Sequence, residues 1–309
     1  MMPLVSAFKY LAVMVPSMIL GVILVNLLTN LNLLDRLTWA VRPITRFGNL
    51  RDECGLSFIT AFGSPSAANA MLVDLYQRGE VGKKELFVAS ITNSFPAILM
   101  HWRSMLPVFV PLLGLTGLAY FGTLVLIGFL KTGLVLTVGR ILLPKRAYRN
   151  LSKKNITRPA FAPALRESLS QSKSIMRRIV LITIPVTVAT FYLIDLGAFD
   201  KLTEYLAGIV KYLPIPAEGV AIIGAQFANS VAAYTVASNL LVKGILTGYE
   251  IIVVLLVGNI LTSIVSLRYL IPYYMGIFGP RLGAELMIIS MAIRQGLLVL
   301  TVVVMVMVW

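Results

Sequence analysis

The stretch AFGSPSAANAM, residues 61–71, stands inside an apolar segment that is otherwise typical of a membrane span. In lipid, every backbone N–H and C=O needs a hydrogen-bond partner, and the sequence Gly-Ser-Pro-Ser holds a helix poorly. The segment is therefore predicted to be a broken or re-entrant membrane helix. A second polar interruption, QFANSVAAY at residues 226–234, occurs in a similar apolar context but without the proline. An accidental defect would not be expected twice, so both breaks are interpreted as features of the fold.

The composition of the whole chain indicates a membrane protein. Of the 309 residues, 58% are hydrophobic and only 13% are charged, whereas soluble domains carry about 25% charged residues. Five apolar runs approach or exceed the roughly 20 residues that a helix needs to cross the hydrocarbon core. They are residues 8–29, 106–137, 178–196, 250–267 and 282–309. The sequence thus predicts an all-α, multi-pass protein of the plasma membrane.

Positive charge is concentrated between Arg140 and Arg178, where Glu167 is the only acidic residue. The positive-inside rule predicts that this segment is a cytoplasmic linker in contact with anionic lipid headgroups. Nucleic-acid binding is the alternative, but the segment lacks a pattern of interleaved aromatic residues that could stack on bases. We therefore expect anionic lipid, and not nucleic acid, as its partner.

The second half of the chain matches the first when the two are compared at an offset of 165 positions. The matched residues are of the rarer polar, glycine and proline types, which supports a duplication. Examples are Glu53 with Glu218, Gly79 with Gly244, Pro107 with Pro272, and Gly114 with Gly279. The predicted domains are a first repeat at 1–143, the basic linker at 144–176 and a second repeat at 177–309.

Each repeat is predicted to contain six successive segments. These are a full span, an interfacial helix, the broken segment, a further span, a short proline-bounded piece and a long helix. The loop after the first span is net basic in the first repeat and net acidic in the second, which predicts opposite orientations in the membrane. The sequence therefore predicts about ten membrane segments in two inverted repeats, an arrangement typical of secondary transporters.

Polar side chains at the interruptions are candidates for binding a polar solute. The first repeat contains another interruption further along the chain, Thr92-Asn93-Ser94-Phe95-Pro96. Asn259 occupies the matching position in the second repeat. Small residues at such positions also suit close helix packing, which is the alternative interpretation. The candidate residues are Ser64, Ser66, Asn69, Asn93, Gln226, Asn229, Ser230 and Asn259.

Two cations, Lys131 and Arg294, fall within the long helices that end the repeats. A cation at the centre of a bilayer costs about 2.5–3.5 kcal/mol on insertion scales, so each should face a cavity or a partner. They could bind an anionic solute, or they could pair with Glu285, Asp74 or Asp195. Arg103 and Arg268 adjoin Trp102 and Tyr269 and are interpreted as interfacial anchors.

The residues needed for catalysis or for a metal centre are scarce. The chain has one cysteine, Cys54, and one histidine, His101, and no Walker loop. We therefore predict a protein that is not an enzyme and that has no cofactor. Coupling of transport to Na⁺ or H⁺ is left open.

The chain resembles the Gate family, also called nucleoside-recognition domain proteins. The resemblance rests on FITAFGSPSAANAM, on ITNSFPAILMHWRSMLPVFVPLLGLTGLAY, and on AQFANSVAAYTVASNLLVKG in the second half. It implies two fused Gate domains, as in paired spore-maturation membrane proteins, and a transport-like membrane domain. Residues and resemblance together predict a transporter of a polar organic solute, either a nucleoside or a phosphate-bearing anion, with a midplane site between the repeats. A lipid-phosphate translocase and a non-transporting membrane scaffold are the alternatives, and homo-oligomerisation is left open.

Overall fold

The computed structural model describes residues 34–145, 160–195, 215–228 and 230–308, together with isolated positions between 5 and 31. All regular secondary structure in these residues is helical, which confirms the predicted all-α class. The predicted interfacial helix at 199–212 is outside the described residues. In chain order the helices are α1 (Leu34–Phe47), α2 (Asp52–Gly63), α3 (Pro65–Gln77), α4 (Lys83–Thr92), α5 (Ser94–Met100), α6 (Trp102–Leu142), α7 (Phe161–Asp195), α8 (Gly219–Ala228), α9 (Ser230–Val242), α10 (Gly248–Thr262), α11 (Leu267–Phe278) and α12 (Pro280–Val308).

The break predicted in the first repeat separates α2 from α3 at Ser64. Ser64 has extended backbone angles (φ −151°, ψ 104°), and its side chain accepts a hydrogen bond from the Ala67 N–H. Pro65 occupies the first position of α3, where a helix needs no N–H donor. The same residues therefore end one helix and begin the next. In the second repeat, α8 ends at Ala228 and α9 begins at Ser230, 165 positions later.

Glycines with positive φ mark further equivalent points of the two repeats. Gly79 (φ 72°) and Gly244 (φ 66°) are 165 positions apart, as are Gly114 (φ 55°) and Gly279 (φ 83°). Gly114 produces a kink inside α6, and Gly279 separates α11 from α12. Helix boundaries and backbone geometry thus recur at the offset of the sequence match, which supports the duplication.

Two described helices are long and apolar enough to cross a membrane, namely Val108–Leu142 and Pro280–Val308. The pair α10 and α11 makes a third if it is counted as one span, and the two helices are bent by 56° at the break between them. These helices agree with the predicted membrane protein. The count of about ten membrane segments and the inverted orientation of the repeats remain predictions.

Helix α7 differs from the sequence expectation. We expected a linker up to residue 176 and a span from residue 177, whereas α7 starts at Phe161 and continues to Asp195. The basic segment conceals an amphipathic period: small residues recur every four positions and are buried, while Arg166 and Lys173 are exposed. The buried small residues are Ala164, Ser168 and Ser172. Counting charges alone missed this helix.

The chain forms two compact units, and each draws on both repeats. The first unit comprises Met1–Ala97, Lys131–Ala189 and Ile271–Met287. The second comprises Ile98–Leu130, Thr190–Leu270 and Ile288–Trp309. Each unit therefore combines the broken helix of one repeat with part of the kinked segment of the other.

Packing in the second unit illustrates this exchange. Phe109 of α6 packs edge-on against Tyr234 of α9, with ring centroids 4.7 Å apart. Ser238 of α9 donates a hydrogen bond to the carbonyl oxygen of Leu112 of α6. Around these contacts α8 and α10 supply a buried aliphatic core that includes Ile222 and Leu255. Side chains from both repeats thus stabilise the unit.

Candidate solute-binding site

The first unit contains a buried network centred on Asn69. Its side-chain oxygen accepts hydrogen bonds from Ser90 Oγ at 3.1 Å and from Asn93 Nδ2 at 3.3 Å. Its Nδ2 donates to the hydroxyl of Tyr273 at 2.9 Å. Asn93 Nδ2 also donates to Ser57 Oγ at 3.2 Å. The predicted residues Asn69 and Asn93 thus occupy one network in which both amides are hydrogen-bonded.

The other residues predicted in the first repeat surround the break or lie further along the chain. Ser64 is half-buried and caps α3 through its side-chain oxygen, 3.2 Å from the Ala67 nitrogen. Ser66 is half-buried in the first turn of the same helix. Lys131 belongs to α6 and is only 3% exposed. The long helix α6 therefore contains a buried cationic side chain.

In the second unit, Arg294 is linked to a pair of polar side chains. Its Nη2 donates to Asn259 Oδ1 at 3.0 Å, and Asn259 Nδ2 is 3.4 Å from the hydroxyl of Tyr120. Tyr120 is fully buried and packs edge-on against Phe109. Arg294 thus donates a hydrogen bond to a neutral amide.

The acidic partners proposed for these cations are engaged elsewhere or are not described. Asp74 forms an ion pair with Arg78, with an N–O distance of 2.6 Å. Glu285 lies 2.6 Å from the Lys83 ammonium. The side chain of Asp195 is outside the described residues. Neither described carboxylate therefore forms the expected ion pair with Arg294.

Gln226 precedes the second helix break by two residues and is buried, with 8% of its surface exposed. Its Nε2 is 3.5 Å from the Leu255 carbonyl oxygen, and its Oε1 is buried with no hydrogen-bond partner among the described residues. Gly258 leaves room for the Gln226 carboxamide, because a Cβ at this residue would stand only 2.1 Å from Gln226 Oε1. An unsatisfied buried acceptor costs about 1–3 kcal/mol, and a bound ligand could satisfy it.

A pocket of about 310 Å³ opens at this place in the second unit. It is bordered by the break between α8 and α9 and by the break between α10 and α11, so two interrupted helices contribute to one cavity. Most of the side chains around it are polar. The lining residues are Gln226, Phe227, Ser230, Thr262, Val265, Ser266, Arg268 and Tyr269.

Arg268 is a pocket residue that the sequence analysis assigned to interfacial anchoring. Its guanidinium lies over the ring of Tyr269, 4.7 Å from the centroid, and its Nε is buried without a hydrogen-bond partner among the described residues. The available signal was the recurrence of an arginine at the equivalent position of the first repeat, Arg103. Its aromatic neighbour favoured the anchoring interpretation instead.

Four of the ten predicted site residues fall into two groups. Asn69 and Asn93 share the network of the first unit, whereas Gln226 and Ser230 line the pocket of the second. Asn259 belongs to α10, one helical turn before the pocket residue Thr262, and accepts a hydrogen bond from Arg294. Asn229 is outside the described residues. One midplane site shared by all ten residues remains a prediction.

Comparison with known proteins shows which family the chain is similar to. The model of the Gate family, described as nucleoside recognition, matches residues 11–116. A protein of Methanocaldococcus jannaschii, Uncharacterized protein MJ1556, is 36% identical over 294 residues, which cover 94% of this chain and 93% of that protein. The chain belongs to the Gate family. The resemblance seen in the sequence is thereby confirmed.

Other relatives of the Gate-family chain come from the same organism. Uncharacterized protein MJ0880 is 28% identical over 279 residues, covering 89% of this chain and 90% of that protein. Uncharacterized protein MJ0871 is 27% identical over 307 residues, covering 94% and 93%. No solved structure matches the chain. Family and apolar helices together indicate a membrane protein with a transporter-like role.

Proposed function

We propose that this Gate-family chain is a secondary transporter of a polar organic solute, which binds in the pocket of the second unit. The observation that carries the proposal is the position of the pocket at two helix breaks. Interrupted helices place free backbone groups and polar side chains inside a membrane domain, and transporters bind their substrates at such places. A volume of about 310 Å³ is at the lower end of the range for small-molecule sites.

The contrast between the Asn69 network and the pocket supports this choice of site. In the first unit, Asn69 and Asn93 satisfy each other and their neighbours, as a structural network should. In the second, Gln226 Oε1 and Arg268 Nε are buried without described partners. Buried polar atoms are normally satisfied, so unpaired atoms beside a cavity favour ligand binding there.

The remaining parts of the proposal follow from sequence and family. The candidate solutes are a nucleoside, in agreement with the family description, and a phosphate-bearing anion. The protein would be a multi-pass component of the plasma membrane, with the basic segment on the cytoplasmic side in contact with anionic lipid. Transport would be coupled to a Na⁺ or H⁺ gradient, without a catalytic step.

Uptake by proteoliposomes tests this function. The full chain is reconstituted and uptake of radiolabelled uridine and uridine 5′-monophosphate is measured under an imposed Na⁺ or H⁺ gradient. We expect uptake of at least one of the two, and we expect Gln226→Leu to abolish it because the pocket loses its buried amide. Asn239→Leu is the matched control, since Asn239 is exposed on α9. Equal uptake by the wild type and Gln226→Leu would rule out the pocket as the transport site.

A further inference from the structure

We infer that the solute is an organic anion, whose phosphate or carboxylate group contacts Arg268 while a hydroxyl or amino group on the same molecule donates to Gln226. The inference rests on the proposed function, because it uses the same pocket. It goes further by defining the chemistry at two points of the solute. It also separates the charged candidate from a neutral nucleoside.

The charge of the pocket comes from one side chain. Arg268 is the only cationic residue among the described residues that line the cavity, and none of these is acidic. The ion pairs found in the described part of the chain do not include Arg268. A half-buried guanidinium without a counter-charge favours a ligand that supplies one.

The partial charges at the ends of the surrounding helices do not reverse the positive charge of the pocket. Ser230 begins α9 and Arg268 lies in the first turn of α11, so two positive helix ends reach the pocket. Gln226 and Thr262 lie in the last turns of α8 and α10, so two negative ends reach it as well. Each end corresponds to about half a charge, and the opposite ends offset one another. The full charge of Arg268 then decides the preference.

Gln226 sets a second requirement, which inorganic phosphate meets poorly. Its unpaired atom is an oxygen, which only accepts hydrogen bonds, and an ionised phosphate or carboxylate offers mainly acceptors. Thr262 Oγ1 cannot readily satisfy it, since this hydroxyl already donates to the Gly258 carbonyl oxygen at 2.8 Å. The ligand must therefore carry a hydroxyl or amino donor in addition to its anionic group. A nucleotide, a sugar phosphate or the headgroup of phosphatidylglycerol has this combination.

Titration calorimetry on the full chain in a non-ionic detergent tests the inference. The probes are uridine 5′-monophosphate, uridine, inorganic phosphate and dihexanoyl phosphatidylglycerol. We expect uridine 5′-monophosphate or the short-chain lipid to bind, and Arg268→Gln to weaken that binding about ten- to a hundredfold through loss of a charge-assisted contact. Arg268→Lys should retain part of the affinity, because it keeps the charge. Arg281→Gln is the matched control, because the Arg281 side chain is 94% exposed.

The outcomes distinguish a free anion from a lipid headgroup as the ligand. They also distinguish failure of the anion inference from failure of the pocket assignment. Binding of the nucleotide alone identifies a free anion, and binding of the lipid alone identifies a headgroup. If uridine binds as tightly as its monophosphate, and Gln226→Leu abolishes binding while Arg268→Gln does not change it, the anion inference is wrong and the pocket assignment stands. If none of the four probes binds, or if Gln226→Leu changes no affinity, both the inference and the proposed pocket fail.

Discussion

At the scale of single residues, Gly258 lies close to the side chain of Gln226, which lines the pocket. The absence of a side chain at Gly258 allows the buried carboxamide to lie against α10. A methyl group would stand 2.1 Å from Gln226 Oε1, well inside contact distance. The carboxamide is the end of a flexible side chain, so it can rotate away at modest cost.

We therefore predict that Gly258→Ala weakens solute binding about tenfold and leaves thermal stability nearly unchanged. The gain in helix propensity of about 1 kcal/mol offsets part of the cost of crowding. Calorimetry and a thermal unfolding curve on the same preparation measure both effects. Gly296→Ala is the control, because a Cβ there meets no atom within 4 Å. Unchanged affinity in Gly258→Ala would show that the position of Gln226 is irrelevant to binding.

Asn69 differs from Gln226, because both polar atoms of its side chain already form hydrogen bonds. We predict that Asn69→Leu lowers the free energy of unfolding by at least about 1–3 kcal/mol, because Ser90, Asn93 and Tyr273 lose a partner. Chemical unfolding in detergent measures the loss, and Asn239→Leu serves as the exposed control. If Asn69→Leu were as stable as the wild type but unable to bind solute, the network would belong to the binding site.

At the scale of the elements, Gly114 allows the kink in α6. Its backbone angles, φ 55° and ψ −129°, are accessible to glycine and strained for other residues. We predict that Gly114→Ala destabilises the protein by about 1–3 kcal/mol, although a Cβ would meet no atom within 4 Å. Gly122→Ala in the same helix is the matched control and should be neutral or stabilising. Equal unfolding midpoints for the two variants would contradict a strained kink.

Sequence reasoning was most successful where local chemistry decides the structure. The break at Ser64 follows from Gly-Ser-Pro-Ser itself, and its recurrence before Ser230 follows from the internal match. The helical start of α7 at Phe161 was missed because basic residues concealed a buried face of small residues. The lining role of Arg268 was missed because it depends on the bend between α10 and α11, which no local pattern specifies.

At the scale of the whole molecule, the exchange of segments between repeats was also beyond the reach of the sequence. The matches at an offset of 165 predict two repeats, and each compact unit takes segments from both of them. Tyr273 of the second repeat bonds to Asn69 of the first, and Phe109 of the first repeat packs on Tyr234 of the second. Such contacts depend on long-range packing, so duplication in sequence does not imply independent folding.

This exchange predicts how the chain behaves when it is divided. A cut between Lys145 and Ala160 yields two halves, and neither half alone contains all segments of either unit. We expect each half expressed alone to aggregate or to be degraded, because the contacts of Asn69 and Tyr234 with the other repeat are missing. Co-expressed halves should assemble and elute from size-exclusion chromatography in detergent as the intact chain does. The control is a cut between Lys131 and Thr132 within α6, which should prevent assembly because it divides a long apolar helix. A monodisperse and thermally stable monomer of residues 1–145 would contradict the exchange and would favour two independently folding repeats.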